Sequence, residues 1–228
     1  MSIARQFKAN ILKQQPQEKI IMPEKKISTA LTESMIDLKE RLTTDLGILK
    51  QLSGDEERNP YKQELIEKYK PLVQQIMSSH QNWARQNALF WWLMWRIDVE
   101  PFMSVVDDLK SAVEHGLTTP QEFKRDWQTI YLDQVFQHFD QALKKEDLNN
   151  LHILQDAIAS IRQGKIVTNV PLKAKLYALN GKFAHKTKDF ETAQKNYKQA
   201  INLDEKSGVK RLLSEVTEKL ESEQGERK

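Results

Sequence analysis

The chain has 228 residues, of which 29% are charged, and its formal net charge of +3 at pH 7 is too small to identify a nucleic-acid binder by itself. Only seven glycines and seven prolines favour an all-α protein over a β-sandwich or barrel. The lack of cysteine excludes disulfides and cysteine-based metal or redox sites. No apolar segment is long enough for a membrane span or placed as a secretory signal, so we expect a soluble intracellular protein that does not contact a membrane.

The first 28 residues carry a local excess of positive charge, because they contain six basic residues and only two acidic ones, Glu18 and Glu24. No helical period persists through residues 14–17, so the pattern predicts a flexible basic arm over residues 1–28. Such an arm can follow a phosphate backbone, and a solvated tail without a specific role is the alternative. The candidate DNA-binding residues are Arg5, Lys8, Lys13, Lys19, Lys25 and Lys26.

A helix is predicted from about residue 30 to residue 52, with Ser28 or Thr29 as its N-cap. Its apolar residues follow the spacing of a short coiled-coil stripe, which can pair within the chain or between subunits. We treat this stripe as a candidate oligomerisation surface. Its residues are Leu31, Met35, Leu38 and Leu42.

A second helix is predicted after a turn, with Asn59 as its N-cap and Pro60 at its first position. Pro71 is expected to kink this helix. The two helices would form an antiparallel hairpin over residues 29–82, which is a candidate region for oligomerisation or DNA binding.

The most apolar stretch is Ala88-Leu-Phe-Trp-Trp-Leu-Met-Trp-Arg-Ile-Asp98, and four of the five tryptophans lie in it or just before it. A helix that is apolar on every face must be buried, and this one is too short to cross a bilayer. We therefore predict a core helix rather than an aromatic ligand box. Pro101 and Gly116 are expected to bound the next helix and complete a helical hairpin.

Residues 83–222 are predicted to form a helical core. Within it, Thr119-Pro-Gln-Glu122 has the form of a capping box that opens a helix running through Leu143. Residues 146–150 start a further helix, which Gly164 is expected to end.

Residues 177–204 resemble a tetratricopeptide repeat (TPR), with Asn180 in place of the usual leucine. The pattern recurs weakly 88 and 43 residues earlier, so three degenerate hairpins are expected to stack as a short TPR-like solenoid. An amphipathic helix over residues 208–220 would cap it, and residues 223–228 would form a charged tail. The matching positions are Tyr177, Gly181, Phe190, Ala193, Tyr197, Ala200 and Leu203.

Eight lysines and only two acidic residues lie between residues 165 and 200. Spacings of seven and four residues put Lys175, Lys182 and Lys186 on one face of the first repeat helix. This face suits an acidic partner or DNA phosphates, and a solvated face is the alternative. We assign these three lysines as the candidate partner-binding residues.

Catalytic motifs are not evident. The glycines form no Walker or dinucleotide-binding pattern, and the five histidines show no two-histidine metal spacing. Asp107 and Asp108 are adjacent, but a nuclease needs several converging carboxylates, so helix-surface charges are the preferred interpretation. We predict no catalytic residue, no metal site and no cofactor.

The order and spacing of several motifs resemble one family. The motifs are the apolar run ending in Trp95-Arg-Ile-Asp98, the phrase His115-Gly-Leu-Thr-Thr-Pro120, and Ala200-Ile-Asn-Leu-Asp204 followed by Ser207-Gly-Val-Lys210. Together they are similar to the terminase small subunit of cos-packaging temperate tailed phages, also called the terminase endonuclease subunit.

The resemblance implies a homo-oligomer, as a ring or a smaller assembly, that recognises the packaging site on double-stranded phage DNA in the host cytoplasm. It also implies a partner, the large terminase subunit, which supplies the ATPase motor and to which we assign the nuclease chemistry. Two alternatives stay open. One is a TPR-type peptide-binding adaptor with no nucleic-acid role, and the other is an endonuclease in its own right.

Overall fold

The computed structural model describes the backbone of residues 24–226 and the side chains of residues 37–222. All regular structure in this described part is α-helical, which confirms the predicted all-α class. Contacts divide the chain after Gln51, so α1 is described apart from the other helices. The helices are α1 (Glu24–Gln51), α2 (Gly54–Ser79), α3 (Asn87–Val99), α4 (Phe102–Glu114), α5 (Trp127–Lys144), α6 (Leu151–Arg162), α7 (Val170–Lys186), α8 (Phe190–Leu203) and α9 (Lys210–Glu226).

Helix α1 begins earlier than its sequence predicts. Its first residue is Glu24, so the predicted N-cap at Ser28 or Thr29 is wrong. The residues before Ser28 are Glu24, Lys25 and Lys26 followed by one isoleucine, and Glu and Lys are good helix formers. The backbone of Lys25 and Lys26 therefore belongs to α1 rather than to an arm that ends at residue 28.

Helix α2 also begins earlier than predicted. It starts at Gly54, so the prediction of Asn59 as N-cap with Pro60 at the first position is wrong, and Pro60 lies inside the helix. Acidic residues fill its first turn, where carboxylates stabilise the positive end of the helix dipole. The Glu57 carboxylate also accepts a hydrogen bond from the backbone N–H of Ser53 at 2.7 Å.

Helix α3 forms the aromatic core that its sequence predicts. Trp92 is 7% exposed and Trp95 is 2% exposed, and burial of each large side chain contributes roughly 1.5–3 kcal/mol. The Trp92 indole donates a hydrogen bond to the backbone oxygen of Ile66 on α2 at 2.9 Å, and the Trp95 ring lies 5.5 Å from that of Tyr69. Gly116 follows α4 with a φ of +71°, as expected for a glycine that ends a helix.

Helix α5 begins later than predicted. Its N-cap is Asp126, whose carboxylate accepts a hydrogen bond from the N–H of Thr129 at 2.7 Å. The predicted capping box over residues 119–122 is therefore wrong. The segment between the predicted capping box and Asp126 contacts the aromatic core instead, where the ring of Phe123 lies 4.8 Å from the ring of Phe90.

Helices α7 and α8 pack against each other along their length and are joined by a short connection, so they form a helical hairpin. A Cβ atom at Gly181 would lie 2.6 Å from the ring of Tyr197, so only glycine permits this close approach. Asn180 donates a hydrogen bond to Asn196 at 3.2 Å within the same interface. Helix α5 contacts α4, α6 and α7, and α9 packs on α8.

A search of the described helices found none long and apolar enough to cross a membrane.

Candidate partner-docking site

The three lysines predicted to share a face of α7 have different surroundings. Lys175 is exposed, with its ammonium 5.8 Å from the centre of the Phe136 ring. Lys186 donates a hydrogen bond to Glu146 at 2.8 Å. Lys182 is half-buried and makes neither type of contact with any described residue. Its charge is therefore available to a partner, and we call these three residues the lysine face.

A surface pocket of about 290 Å³ lies beside Lys182 and Lys186. Its apolar wall combines Leu143 at the end of α5, Tyr197 of α8 and Leu212 of α9. Leu143 and Leu212 are half-buried, so each keeps apolar surface open to the pocket. The lining residues, which define the docking pocket, are Leu143, Lys182, His185, Lys186, Tyr197 and Leu212.

Sequence reasoning found the basic side of the docking pocket and missed its apolar wall. The spacing rule describes only one helix, whereas Leu143, Tyr197 and Leu212 come from three different helices, and α5 is far in sequence from α8 and α9. Leu143 and Tyr197 had helix-packing roles in the sequence pattern, and no local signal marks them as pocket residues.

The electrostatics of the docking pocket are set by its lysines. The hydrogen bond from Lys186 lowers the pKa of Glu146, whose backbone has a left-handed φ of +58°. Burial, and then the charge of Glu215, raise the pKa of Tyr197 above that of an exposed phenol. The Tyr197 hydroxyl lies 3.5 Å from Nδ1 of His185.

The charges of the Trp95-Arg-Ile-Asp98 motif form ion pairs. The Arg96 guanidinium donates hydrogen bonds to Glu100 at 2.9 Å and to Asp108. Burial acts to lower the pKa of Arg96, but its bonds to these two carboxylates raise that pKa overall. The Asp98 carboxylate forms an ion pair with Lys62 of α2 at 2.8 Å, and the Lys62 side chain is only 12% exposed. The motif therefore ties α3 to α2 and α4.

Asp107 and Asp108, the two carboxylates considered as a nuclease centre, have different surroundings. Asp108 is engaged by the Arg96 guanidinium, while Asp107 is exposed on α4. Among the residues whose side chains the structure describes, no group of three or more histidine, aspartate or glutamate residues is placed to hold a metal ion.

The predicted DNA-binding and oligomerisation residues fall mostly outside the described side chains. Leu38 is half-buried and Leu42 is 7% exposed, and self-association through their stripe stays a prediction. DNA contact by the basic arm also stays a prediction. The residues whose side chains lie outside the described part are Arg5, Lys8, Lys13, Lys19, Lys25, Lys26, Leu31 and Met35.

The geometry describes an all-helical protein with a basic face beside an apolar pocket. Residues 39–169, more than half of the chain, match the family of the phage small terminase subunit, so the chain belongs to this family. It is also similar to the terminase endonuclease subunit of Escherichia phage P2, with 22% identity over 180 residues that cover 79% of this chain and 72% of that protein. No solved structure matches the chain. The family predicted from the sequence motifs is confirmed, and with it a role in phage DNA packaging.

Proposed function

We propose that this chain binds the cos packaging site, assembles into a homo-oligomeric ring or smaller assembly, and docks the large terminase subunit during packaging and cos cleavage in the host cytoplasm. The family match over residues 39–169 is the observation that carries the proposal, since this family has DNA and the large subunit as its general partners. The large subunit supplies the ATPase motor and the nuclease chemistry in this scheme.

The two basic regions have different tasks in the proposal. The N-terminal basic residues contact DNA, because several cations close together in sequence attract a phosphate backbone. The lysine face docks the large subunit, because its cations are fixed on α7 and adjoin an apolar pocket. Double-stranded DNA is uniformly charged and presents few apolar groups to such a pocket.

Deleting residues 1–23 tests the DNA assignment. The deletion removes Arg5, Lys8, Lys13 and Lys19 but leaves the α1 backbone complete. Loss of four phosphate contacts should flatten the slope of log affinity against log salt concentration by as much as about 3 to 4. The measurement is the affinity for a cos DNA duplex at several salt concentrations.

The matched control keeps the arm at full length and replaces the same four cations by glutamine. It should reproduce the deletion if charge is responsible. The double variant Lys175→Glu with Lys182→Glu should keep the salt slope and lose capture of the purified large subunit. An unchanged slope in the deletion, together with a lost slope in the double lysine variant, would reverse the assignment.

Self-association through the leucine stripe is tested with Leu38→Asp. Leu38 is half-buried, so it is the described stripe residue with surface left for a neighbouring subunit. A charge there should lower the native mass measured by light scattering. Thr43→Asp, at an exposed position of the same helix, is the control. A native mass that is the same for both variants and the original chain would move the interface away from α1.

The hairpin of α7 and α8 supports a second candidate function, that of a peptide-binding adaptor. The supporting observation is the close packing of Gly181 on Tyr197 between α7 and α8, which is the small-against-large contact expected of such a repeat. An adaptor without a nucleic-acid role would capture the large subunit and show no salt-dependent affinity for cos DNA.

Endonuclease activity in this chain alone is the third candidate, because the phage P2 relative is named the terminase endonuclease subunit. We assign cleavage to the complex with the large subunit, since Asp108 is already engaged by Arg96. Incubating the pure chain with cos DNA and Mg²⁺ tests this assignment, and specific cleavage without the large subunit would overturn it.

A further inference from the structure

We propose that the docking pocket takes a segment of the large terminase subunit in which a large apolar side chain lies next to one or more carboxylates. The proposal rests on the proposed function, in which this chain docks the large subunit. It adds the chemistry of the segment that is bound and the residues that recognise it.

The apolar part of the recognition comes from the three helices that wall the pocket. Leu143 and Leu212 are half-buried and present aliphatic surface, and the buried Tyr197 also lines the pocket. A volume of about 290 Å³ is large enough for one leucine, methionine or phenylalanine side chain. Covering this surface is favourable at roughly 25 cal/mol for each Å² removed from water.

The charged part comes from α7. Lys182 borders the apolar wall, is half-buried, and has no carboxylate partner among the described residues. A half-buried ammonium has already lost part of its hydration, so a carboxylate delivered beside it forms a stronger hydrogen bond than one at a fully exposed lysine. The pocket is thus complementary to a segment that is both apolar and acidic.

Lys186 is occupied in the free chain by a carboxylate of the same molecule. Glu146 reaches it at 2.8 Å from the turn between α5 and α6, and its own side chain is 81% exposed. An exposed pair of this kind is weak, so an incoming carboxylate can replace Glu146 at little cost. Glu146 therefore acts as an internal competitor for the partner's carboxylate.

Charge selects against this chain's own basic arm as the occupant. Residues 1–23, which precede α1, contain four basic residues and one acidic one, so their approach to Lys182 and Lys186 is repulsive. The opposite composition, acidic with one large apolar side chain, is required of the segment that binds.

The test measures the affinity of the purified large subunit for the full chain and four variants. Lys182→Glu should weaken binding by about tenfold or more, because it replaces a charge-assisted hydrogen bond by repulsion. Leu212→Ser should weaken it through the apolar wall. Glu146→Gln should strengthen it severalfold, because it releases Lys186. Lys195→Glu is the matched control, at an exposed position of α8 outside the pocket.

Circular dichroism checks that each variant is folded, and its affinity for cos DNA shows whether DNA binding has also changed. If the unaltered chain does not bind the large subunit, the proposed docking function fails and the inference fails with it. If it binds but Lys182→Glu and Glu146→Gln behave like Lys195→Glu, the docking function stands and the pocket assignment is overturned. Loss of DNA affinity in Lys182→Glu with unchanged large-subunit affinity would also overturn it, in favour of DNA.

A peptide array identifies the bound segment. Overlapping peptides that cover the large subunit are probed with the full chain and with Lys182→Glu. We expect the bound peptides to share an acidic residue near a large apolar one and to lose binding to the variant. Selective capture of basic peptides, or capture that is equal for the two proteins, would contradict the proposal.

Discussion

The side chains of Trp92 and Trp95 on α3 are both buried, but they differ in hydrogen bonding. The Trp92 indole N–H donates to the Ile66 backbone oxygen at 2.9 Å, whereas the Trp95 indole N–H is buried and has no hydrogen-bond partner among the described residues. Replacing each in turn by phenylalanine removes the same atoms, so the cost of truncation largely cancels in the comparison. The hydrogen-bond terms that differ are about 1 kcal/mol lost at Trp92 and about 1–3 kcal/mol of burial penalty relieved at Trp95.

Trp92→Phe should therefore be less stable than Trp95→Phe by about 2 kcal/mol or more. The Arg96 guanidinium, 4.6 Å from the Trp92 ring, adds to the difference because phenylalanine binds a cation less well than tryptophan. Urea unfolding followed by far-UV circular dichroism measures both free energies. Trp95→Ala should cost roughly 3–5 kcal/mol in the same assay. The hydrogen-bond explanation would be refuted if both variants showed the same dependence of unfolding free energy on urea concentration and Trp95→Phe were as destabilised as Trp92→Phe.

Two further predictions concern two helical glycines and one half-buried histidine. Gly181→Ala should destabilise the fold by about 1–3 kcal/mol because its Cβ would overlap the Tyr197 ring, whereas Gly47→Ala, with no atom within 4 Å, should stabilise α1 by up to about 1 kcal/mol in the same thermal or urea assay. A stabilised Gly181→Ala would show that the Tyr197 contact yields easily. Burial lowers the pKa of His138, so the unfolded chain binds more protons just below pH 6.5, and the free energy of unfolding should fall as pH drops through that value. His138→Gln should flatten this pH dependence in urea titrations, and an unchanged slope would contradict it.

The positions of the core helices follow from local patterns in the sequence. A run that is apolar on all sides predicts α3, and Gly116 and Gly164 mark helix ends because both have the left-handed φ that glycine tolerates, +71° and +70°. The helix starts were less predictable. Thr119-Pro-Gln-Glu122 has the sequence of a helix cap, yet α5 begins after Asp126. Phe123, which lies between them, contacts the aromatic core instead. Tertiary packing decides such cases.

The lysine face was predictable because seven- and four-residue spacings describe a single helix. Its setting was not. Lys186 meets Glu146 across 40 residues of sequence, and the apolar wall of the docking pocket joins helices whose contacts no spacing rule can find. Sequence reasoning therefore located the charges of the candidate site without the apolar surface that lies beside them.

The most distinctive shared motif and the candidate site belong to different parts of the molecule. The charges of Trp95-Arg-Ile-Asp98 hold α3 against α2 and α4, so in this chain they stabilise the scaffold. The family match ends at residue 169, just before α7 begins at Val170, while five of the six docking-pocket residues follow it. Of the docking-pocket residues, only Leu143 lies within the region that the family model matches, whereas the ion pairs of Arg96 lie wholly within it. We therefore expect substitutions on α7 to α9 to change affinity for the proposed partner, and substitutions within the ion pairs of Arg96 to change stability.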